Sequence, residues 1–355
     1  MPESLIDLHS HWFSPTATRW LSERRHGVRI EYADNGAATL VRDVNDALPP
    51  RFALGPQWFD LELRLAHLDS VGISHQLLSW PTTLGVDPLT GPGEALELWR
   101  SYNDDLAALV RQYPRRFSAV AALSTSDIAW SVAELARAHE YGGLIGAVLP
   151  VNVLASREAA AHIRPLLVEA QKHNSHLYLH TGYGHASVSG QPAAELANDL
   201  PAIRAALSTA SAFANAVFTL LFSDLLDEFP AITVQVAMLG GSGIFANLLE
   251  QILATPERYG VGDIRARLAR LTFDTGAAGR GTEAITQVVR LIGAKHVVFG
   301  SDYAPWADTR EVIDNIRRTP LDAASQRALF HDNAARLLRS KGVALTEPSP
   351  TEVFA

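Results

Sequence analysis

The feature that most constrains the fold is an alternation of eight short apolar segments with longer helical patterns. The short segments are nearly continuous runs of aliphatic and β-branched residues, as expected for parallel strands that are covered on both faces. Eight such alternations in 355 residues favour an α/β fold of the (β/α)8 TIM-barrel type over a doubly wound open sheet. The predicted strands are Leu5–Trp12, His75–Trp80, Phe117–Leu123, Gly146–Val151, His176–Gly182, Ile232–Leu239, Leu271–Ala277 and His296–Tyr303.

Helix-capping residues mark two of the segments between these strands. Ser124–Asp127 supplies N-cap side chains for a helix over Ile128–Tyr141, and Gly142 ends it. Ser156, with Glu158 in the first turn, begins a helix that we expect to continue to about Asn174. Each helix would connect one predicted strand to the next.

One connection is much longer than a strand–helix loop requires. After the first strand, Arg29–Tyr32 and Thr39–Val41 flank Asn35-Gly36, which predicts a hairpin. Because the insertion leaves the carboxyl end of a barrel strand, we expect a small lid over the active-site mouth, and a surface insertion without function is the alternative. The predicted division is one barrel domain over 1–340, the inserted lid over 13–58 and a C-terminal tail over 341–355.

The composition excludes several classes of protein. The formal net charge is -8 and the sequence pI about 5.9, which argues against a nucleic-acid-binding protein with a basic face. Apolar runs are too short to predict a membrane partner. The non-basic start, Met1–Ser4, predicts a cytoplasmic protein without a signal peptide. Because cysteine is absent, metal ligands would have to be histidines and carboxylates.

Histidine and aspartate residues lie at the ends of several predicted strands. His9 and His11 are two residues apart, so both imidazoles project from one face of the first strand. Two neutral imidazoles at this spacing suit a divalent metal ion such as zinc. His180 and Asp302 end strands five and eight, where burial without a partner is costly, so we expect both to bind the metal. For Asp274, at the end of strand seven, a structural hydrogen bond beside the site explains the residue at least as well.

Motifs spread over most of the chain point to one enzyme family. They are Asp7–His11, Asn103–Ala107, Tyr113–Phe117, His180, Glu228–Pro230, Gly300–Tyr303 and Asn333–Leu337. Together they resemble the amidohydrolase superfamily (amidohydrolase-related family 2). Within it, the chain is similar to the branch of aminocarboxymuconate-semialdehyde decarboxylase and related aromatic-acid decarboxylases.

The resemblance implies a metal centre with one ion. In that family, residues matching His9, His11, His180 and Asp302 bind one zinc or similar ion. Many binuclear members bridge a second metal with a carboxylated lysine at the end of strand four, where this chain has Leu149–Asn152 and no lysine. We therefore expect one divalent metal ion as cofactor, zinc first and manganese as the alternative.

One position departs from the family pattern. Members of the family carry a histidine at the end of strand six that helps to activate metal-bound water or handles a proton. Met238 stands in its place, and a thioether cannot transfer a proton at neutral pH. Either Asp302 or another group does that work, or the reaction differs. His185, five residues after His180, is a candidate, although a lone loop histidine is more often a surface residue.

Aromatic and basic residues supply candidates for substrate binding. Arg51 lies seven residues before Trp58, a spacing similar to that of a family arginine that grips a substrate carboxylate. A solvated lid arginine is an equally good explanation. Trp12, Trp80 and Trp306 each follow a strand end, and together they predict walls for a flat hydrophobic substrate.

An apolar segment, Ser211–Leu226, favours a homodimer. It is apolar around most of a helix, whereas barrel helices normally keep a solvated face. A partner related by twofold symmetry is the commonest cover, and the resembling family tends to dimerise. Burial under the chain's own lid or tail is the alternative.

Three functions follow from the sequence. The first is a metal-dependent, non-oxidative decarboxylase of an aromatic or conjugated carboxylic acid, with Asp302 as proton shuttle and His180 beside it. The second is a hydrolase of an amide, ester, lactone or carbon–carbon bond that uses metal-activated water. The third is a binding protein disarmed by Met238, against which the intact ligand set argues.

Overall fold

The computed structural model describes residues 4–42, 51–192, 199–276 and 281–345, and its strands match the predicted pattern. In chain order they are β1 (Leu5–His11), β2 (Arg29–Tyr32), β3 (Ala38–Val41), β4 (Arg51–Leu54), β5 (Ile73–Ser79), β6 (Phe117–Ala119), β7 (Ala121–Ala122), β8 (Gly146–Pro150), β9 (His176–His180), β10 (Thr233–Val236), β11 (Leu271–Asp274) and β12 (Val297–Val298).

Parallel pairing closes the barrel, with β2, β3 and β4 outside it. β1 pairs with β5 and β5 with β6, while β7 to β12 form one continuous parallel sheet. Only Val120 separates β6 from β7, so these two act as one bent strand. A parallel bridge between Ser10 and Tyr303 joins β1 to the segment after β12. The predicted (β/α)8 fold is confirmed; Ala277, placed in strand seven by the sequence analysis, lies outside the described residues.

Helices cover the barrel, and one of them is shorter than predicted. Asp127 caps its helix as expected, since its side chain accepts from Trp130 N. The helix predicted from Ser156 to about Asn174 is instead two helices, because Pro165 has no N–H to continue the first one. The helices are α1 (Pro15–Glu23), α2 (Leu61–Val71), α3 (Val86–Leu89), α4 (Leu96–Gln112), α5 (Ile128–Glu140), α6 (Arg157–His162), α7 (Arg164–Lys172), α8 (Pro201–Phe222), α9 (Leu225–Glu228), α10 (Met238–Ser242), α11 (Ile244–Ala254), α12 (Pro256–Tyr259), α13 (Arg265–Leu268), α14 (Thr282–Ile292), α15 (Arg310–Arg317), α16 (Ala323–Arg327) and α17 (Asn333–Ser340).

The insertion after β1 is a small antiparallel sheet. β2 pairs with β3 through the predicted hairpin, and β4, which the sequence analysis did not identify, adds a third strand. Arg42 donates to the Leu84 carbonyl, and Gln57 donates to the Ala304 carbonyl. Both acceptors follow the carboxyl ends of barrel strands, so the insertion lies at that end of the barrel. Residues 43–50 of the predicted lid and 346–355 of the predicted tail lie outside the described residues.

The apolar segment Ser211–Leu226 is covered by its own chain. Of its side chains only Ser211, Asn215 and Asp224 are exposed, so the segment offers no open apolar face for a second copy. The homodimer stays a prediction without this support. By length and composition alone α8 could cross a membrane, and 44% of its most apolar window is buried against the rest of the protein.

Candidate metal centre

The four side chains that the sequence analysis assigned to a metal ion lie together at the carboxyl ends of the barrel strands. His9 and His11 project from β1, His180 ends β9, and Asp302 follows β12. One ligand atom from each lies within 4.8 Å of the others. The three imidazole rings pack edge to face, nearly perpendicular to one another, with centroids 4.6 to 5.1 Å apart. Strand alternation explains the pair on β1, because residues two apart face the same side.

Each imidazole is held through Nδ1, which leaves Nε2 available as a ligand atom. An Nδ1–H that donates to an oxygen fixes the tautomer in which Nε2 carries a lone pair. The acceptors are Asp274 Oδ1 for His9 at 2.8 Å, the Ser79 carbonyl for His11 at 3.3 Å and Thr82 Oγ1 for His180 at 3.2 Å. The Thr82 hydroxyl can accept from His180 because its own hydrogen is donated to the Thr181 carbonyl at 2.8 Å.

The Nε2 atoms fit a divalent cation. Nε2 of His9 and Nε2 of His11 are buried and make no hydrogen bond within the described residues. Asp302 Oδ1 lies 3.2 Å and 3.4 Å from them, without hydrogen-bond geometry. Unpaired buried nitrogens cost free energy, and a cation between them and the carboxylate removes that cost. Imidazole nitrogens with one carboxylate oxygen are a ligand set typical of divalent transition metals.

Burial shifts the pKa values of all four groups, and charged neighbours reverse the direction for His9 and Asp302. Burial lowers the pKa of His11 and holds that of His180 well below its ordinary value, so both are neutral. Burial also acts downward on His9, but Asp274 and Asp302 outweigh it and raise the pKa of His9 to about 10. Burial acts upward on Asp302, but His9 and His11 outweigh it and lower the pKa of that carboxyl. A proton and a metal ion therefore compete for Nε2 of His9.

Asp7 joins the two segments that carry three of the four ligands. Its Oδ1 accepts from the backbone N–H of His9 at 3.1 Å and of Ser301 at 2.9 Å. Its Oδ2 accepts from Ser301 Oγ at 2.6 Å and from Gln76 Nε2 at 2.7 Å. Because Ser301 precedes Asp302, this buried carboxylate fixes β1 against the end of strand eight.

The backbone conformation at Asp302 and the close packing at Gly300 restrict which residues fit at these two positions. Asp302 has a φ of 57°, which is uncommon for a residue other than glycine. At Gly300 a Cβ would come within 2.6 Å of the His9 Cβ and 3.0 Å of the Asp274 Cβ. Glycine at this position therefore lets strand eight approach the His9–Asp274 pair.

Asp274 is a hydrogen-bond partner of the candidate ligand His9. It is completely buried. Besides the His9 imidazole, Oδ1 accepts from Met238 N at 3.2 Å, and Oδ2 accepts from Gln235 Nε2 at 2.7 Å. The structure thus supports the hydrogen-bonding explanation of Asp274 over a contact with substrate.

Met238 follows β10, and its contacts are with neighbours of the candidate ligands: its backbone N–H bonds Asp274, the partner of His9. Its Sδ lies 3.5 Å from Thr181 Oγ1. The short element α10, which Met238 begins, is left-handed: together with Gly243 it forms a turn, 238–243, in which every residue has a φ between 52° and 85°. Left-handed backbone costs roughly 1–2 kcal/mol for each residue other than glycine. Glycine is required at Gly241, where a Cβ would lie 2.5 Å from the Ala210 carbonyl oxygen. Strain of this kind is concentrated at functional sites.

The three tryptophans predicted to wall the pocket differ in their surroundings. Trp80 is 2% exposed, and its ring packs against the rings of Trp99 and Tyr102 at 5.0 Å and 5.1 Å, so it is mainly a core residue. Trp12 is also buried, and its indole N–H makes no hydrogen bond within the described residues. Trp306 is 37% exposed. Trp12 and Trp306 remain candidates for contact with a ligand.

Two further candidates for substrate binding have partners elsewhere. Arg51 lies on β4 with more than half of its side chain exposed, and it forms a 2.6 Å ion pair with Glu31 on β2. The structure therefore favours the solvated arginine over a carboxylate grip. His185 bonds Ser187 Oγ at 2.9 Å within its own loop, as a surface histidine would.

Tyr178 is a buried residue of the site that the sequence analysis missed. Its ring lies 5.5 Å from that of His9 and 5.8 Å from that of His180. Burial, followed by the charges of Asp274 and Asp302, raises its pKa well above the ordinary value, so the hydroxyl keeps its proton. The alternation of His176, Tyr178 and His180 along β9 is the signal that would have identified it.

Solved structures share this fold at low sequence identity. 2,6-Dihydroxybenzoate decarboxylase from Rhizobium is 18% identical with a TM-score of 0.68, over 95% of this chain and 99% of that one. 5-Carboxyvanillate decarboxylase from Sphingomonas paucimobilis is 19% identical with a TM-score of 0.70, over 95% and 99%. A mutant 5-carboxyvanillate decarboxylase from Novosphingobium aromaticivorans, with bound manganese and a nitrobenzoic acid, is 17% identical with a TM-score of 0.69, over 95% and 97%.

A family model gives the stronger assignment. The model Amidohydro_2, described as Amidohydrolase, matches residues 85–340, which is more than half of the chain. The match includes two of the four proposed ligands, His180 and Asp302, and β1 supplies the other two. The chain therefore belongs to this amidohydrolase family.

Proposed function

We propose that the protein is a metal-dependent, non-oxidative decarboxylase of an aromatic or conjugated carboxylic acid. The observation that carries the proposal is the convergence of three imidazoles and one carboxylate within 4.8 Å. Two kinds of structural neighbour, named for dihydroxybenzoate and carboxyvanillate, support decarboxylation of an aromatic acid. One ion per chain is proposed, with zinc first and manganese, which one neighbour holds, as the alternative.

Each residue of the site has a proposed part. His9, His11, His180 and Asp302 would hold the ion, which when bound would supply Lewis-acid chemistry toward the substrate's carboxylate and an adjacent hydroxyl or oxo group. Asp302, ionised at neutral pH, is the proposed proton carrier. It accepts a proton from the substrate or water and delivers it to the carbon that loses carbon dioxide, where the electron pair of the broken carbon–carbon bond forms the new C–H bond.

The walls of the site are proposed to be apolar. Met238 contributes a soft thioether where a histidine would bring a proton carrier. Trp12 and Trp306 are the proposed aromatic walls, and the antiparallel sheet after β1 is the proposed lid. A site of this kind suits a flat substrate whose charge lies at one end.

Hydrolysis is the alternative, because the same ligands suit metal-activated water and the family model is that of an amidohydrolase. Carbon dioxide release should be measured with a panel of hydroxybenzoates and semialdehydes. Hydrolysis should be measured in parallel with a panel of esters, lactones and amides. Turnover confined to the first panel supports the decarboxylase. Turnover confined to the second contradicts it, and turnover of neither by the metal-loaded protein supports a binding protein.

Two variants test the proposed parts. Asp302→Asn should abolish turnover by removing the proton carrier, and near-native turnover with metal bound would contradict that role. Met238→His should change the rate or the pH profile, because it adds a proton carrier beside the site. If it changes neither, the side chain lies outside the reaction zone.

A further inference from the structure

A second pocket lies at the opposite end of the barrel from the metal ligands. Its volume is about 350 Å³. It is lined by the starts of two strands, at Thr233 and Leu271, by the turn that precedes β12, and by one face of α17. Since the starts of parallel strands lie at the amino-terminal end of a barrel, this pocket is separate from the candidate metal centre.

The charge of the second pocket is opposite to that of the chain. The chain has 38 acidic residues against 30 lysines and arginines. Arg270, Lys295, His296 and Arg336 line the pocket, and no acidic residue lines it within the described residues. In the described part of the chain, Arg270, Lys295 and Arg336 form no ion pair. Positive groups that share a cavity without a carboxylate repel one another, and a bound anion would relieve that repulsion.

Both guanidinium groups are held in place by neutral oxygens. Arg270 donates to the carbonyls of Leu226, Phe229 and Ile232, with Nη2 lying 2.9 Å from the last of these. Carbonyl dipoles fix this guanidinium without cancelling its charge.

Arg336 is fixed in the same way. Its Nη2 donates to the Lys295 carbonyl at 3.2 Å and to Asn333 Oδ1 at 3.0 Å. Groups that are fixed before a ligand arrives lose less conformational entropy on binding it. The charge of Arg270 also reaches Lys341, since burial and then that charge lower the pKa of Lys341 to about 8.

We propose that this pocket binds a small anion with two or more negative charges, carried by a phosphate or by several carboxylates. The Arg336 guanidinium can recognise both chemistries through paired hydrogen bonds. Arg270, most of whose N–H groups bond carbonyls, adds a fixed charge, and the lysine adds a mobile one. The cavity volume suits a small metabolite. The site is independent of the metal and of the reaction proposed above.

Calorimetric titration of the metal-loaded full chain tests the proposal, with inorganic phosphate in one series and citrate in another, at constant ionic strength. The native protein should bind at least one of them saturably. The double variant Lys295→Gln/Arg336→Gln should weaken that binding at least about tenfold, since it removes two charged hydrogen-bond donors. Arg111→Gln/Arg290→Gln, which removes the same charge from exposed positions outside the pocket, should bind within about twofold of native.

The outcomes separate the sources of the anion and can overturn the site. Binding of phosphate alone indicates a phosphate ester, citrate alone a polycarboxylate, and both indicate recognition of charge. The proposal fails if neither anion binds up to about 10 mM, or if the two double variants lose affinity equally. The single variant Lys295→Gln, whose side chain is exposed, gives the same test if the double variant does not fold.

Discussion

Replacing Asp274 with asparagine tests how the metal centre holds His9. The buried carboxylate accepts from His9 Nδ1 at 2.8 Å and from Gln235 Nε2 at 2.7 Å. The Gln235 amide cannot turn around without loss, because Nε2 also donates to the Leu8 carbonyl at 2.8 Å and Oε1 lies 3.1 Å from His176 Nε2. Asparagine offers one oxygen and one NH2 group to three donors, His9 and Met238 N on one side and Gln235 on the other, so at least one N–H must face another.

Either orientation of the asparagine weakens the metal centre. With its oxygen toward His9, its NH2 group opposes that of Gln235. With its NH2 group toward His9, the imidazole must move its proton to Nε2, the ligand atom. An unsatisfied buried donor costs about 1–3 kcal/mol, and about 1.4 kcal/mol is a factor of ten in affinity. Metal affinity should therefore fall by about 10- to 100-fold, as for other lost partners of metal ligands.

Competition with a chromophoric chelator measures this loss for zinc and manganese. The control is Asp263→Asn, which changes an exposed carboxylate 3.0 Å from Arg265 and should leave metal affinity native. If Asp274→Asn keeps a native circular-dichroism spectrum and binds both metals as tightly as the native protein, Asp274 does not position His9.

Further predictions concern metal content, acid stability and packing. The purified protein should carry about one divalent ion per chain, and His9→Ala should lose most of it in elemental analysis; a native protein with almost none, and no rise in melting temperature with added zinc or manganese, would contradict the site. Burial lowers the pKa of His75 and His176 from 6.5 to about 4, so the stability each contributes is present above pH 6.5 and falls by up to about 3 kcal/mol toward pH 4. In His176→Gln, the free energy of unfolding, measured with urea at a series of pH values, should fall less between pH 6.5 and pH 4. An unchanged pH dependence would show that burial of the imidazole is not responsible. Gly300→Ala should lower stability by about 1–3 kcal/mol through overpacking against His9 and reduce metal content, whereas Gly262→Ala, with open space around it, should do neither.

The barrel could be predicted because its signal is repeated along the chain. Each strand is an apolar run bounded by helical patterns, so an error at one end leaves the architecture unchanged. The break between α6 and α7 was missed because the capping signal at Ser156 was extended past Pro165. The strand Arg51–Leu54 was missed because four residues alternate too briefly to stand out, and only pairing with β3 defines it.

The grouping of the four candidate ligands could be predicted from their places at strand ends, but the hydrogen-bond partners of those side chains could not. His9 and Asp274 are 265 residues apart in the chain and 2.8 Å apart in space, a contact that no local pattern records. The same limit affected Arg51, whose partner Glu31 becomes a neighbour only when β2, β3 and β4 pair.

The left-handed turn at 238–243 has a consequence for the route by which this site can change. A φ of 56° at Met238 is unfavourable for methionine, whereas histidine, asparagine and aspartate are several-fold enriched in this region. The backbone is thus already shaped for the residue that the family pattern places there. Met238→His needs no change of backbone conformation in the turn and relieves part of its conformational cost. A proton carrier can therefore be acquired at this position without a loss of folding stability from the backbone.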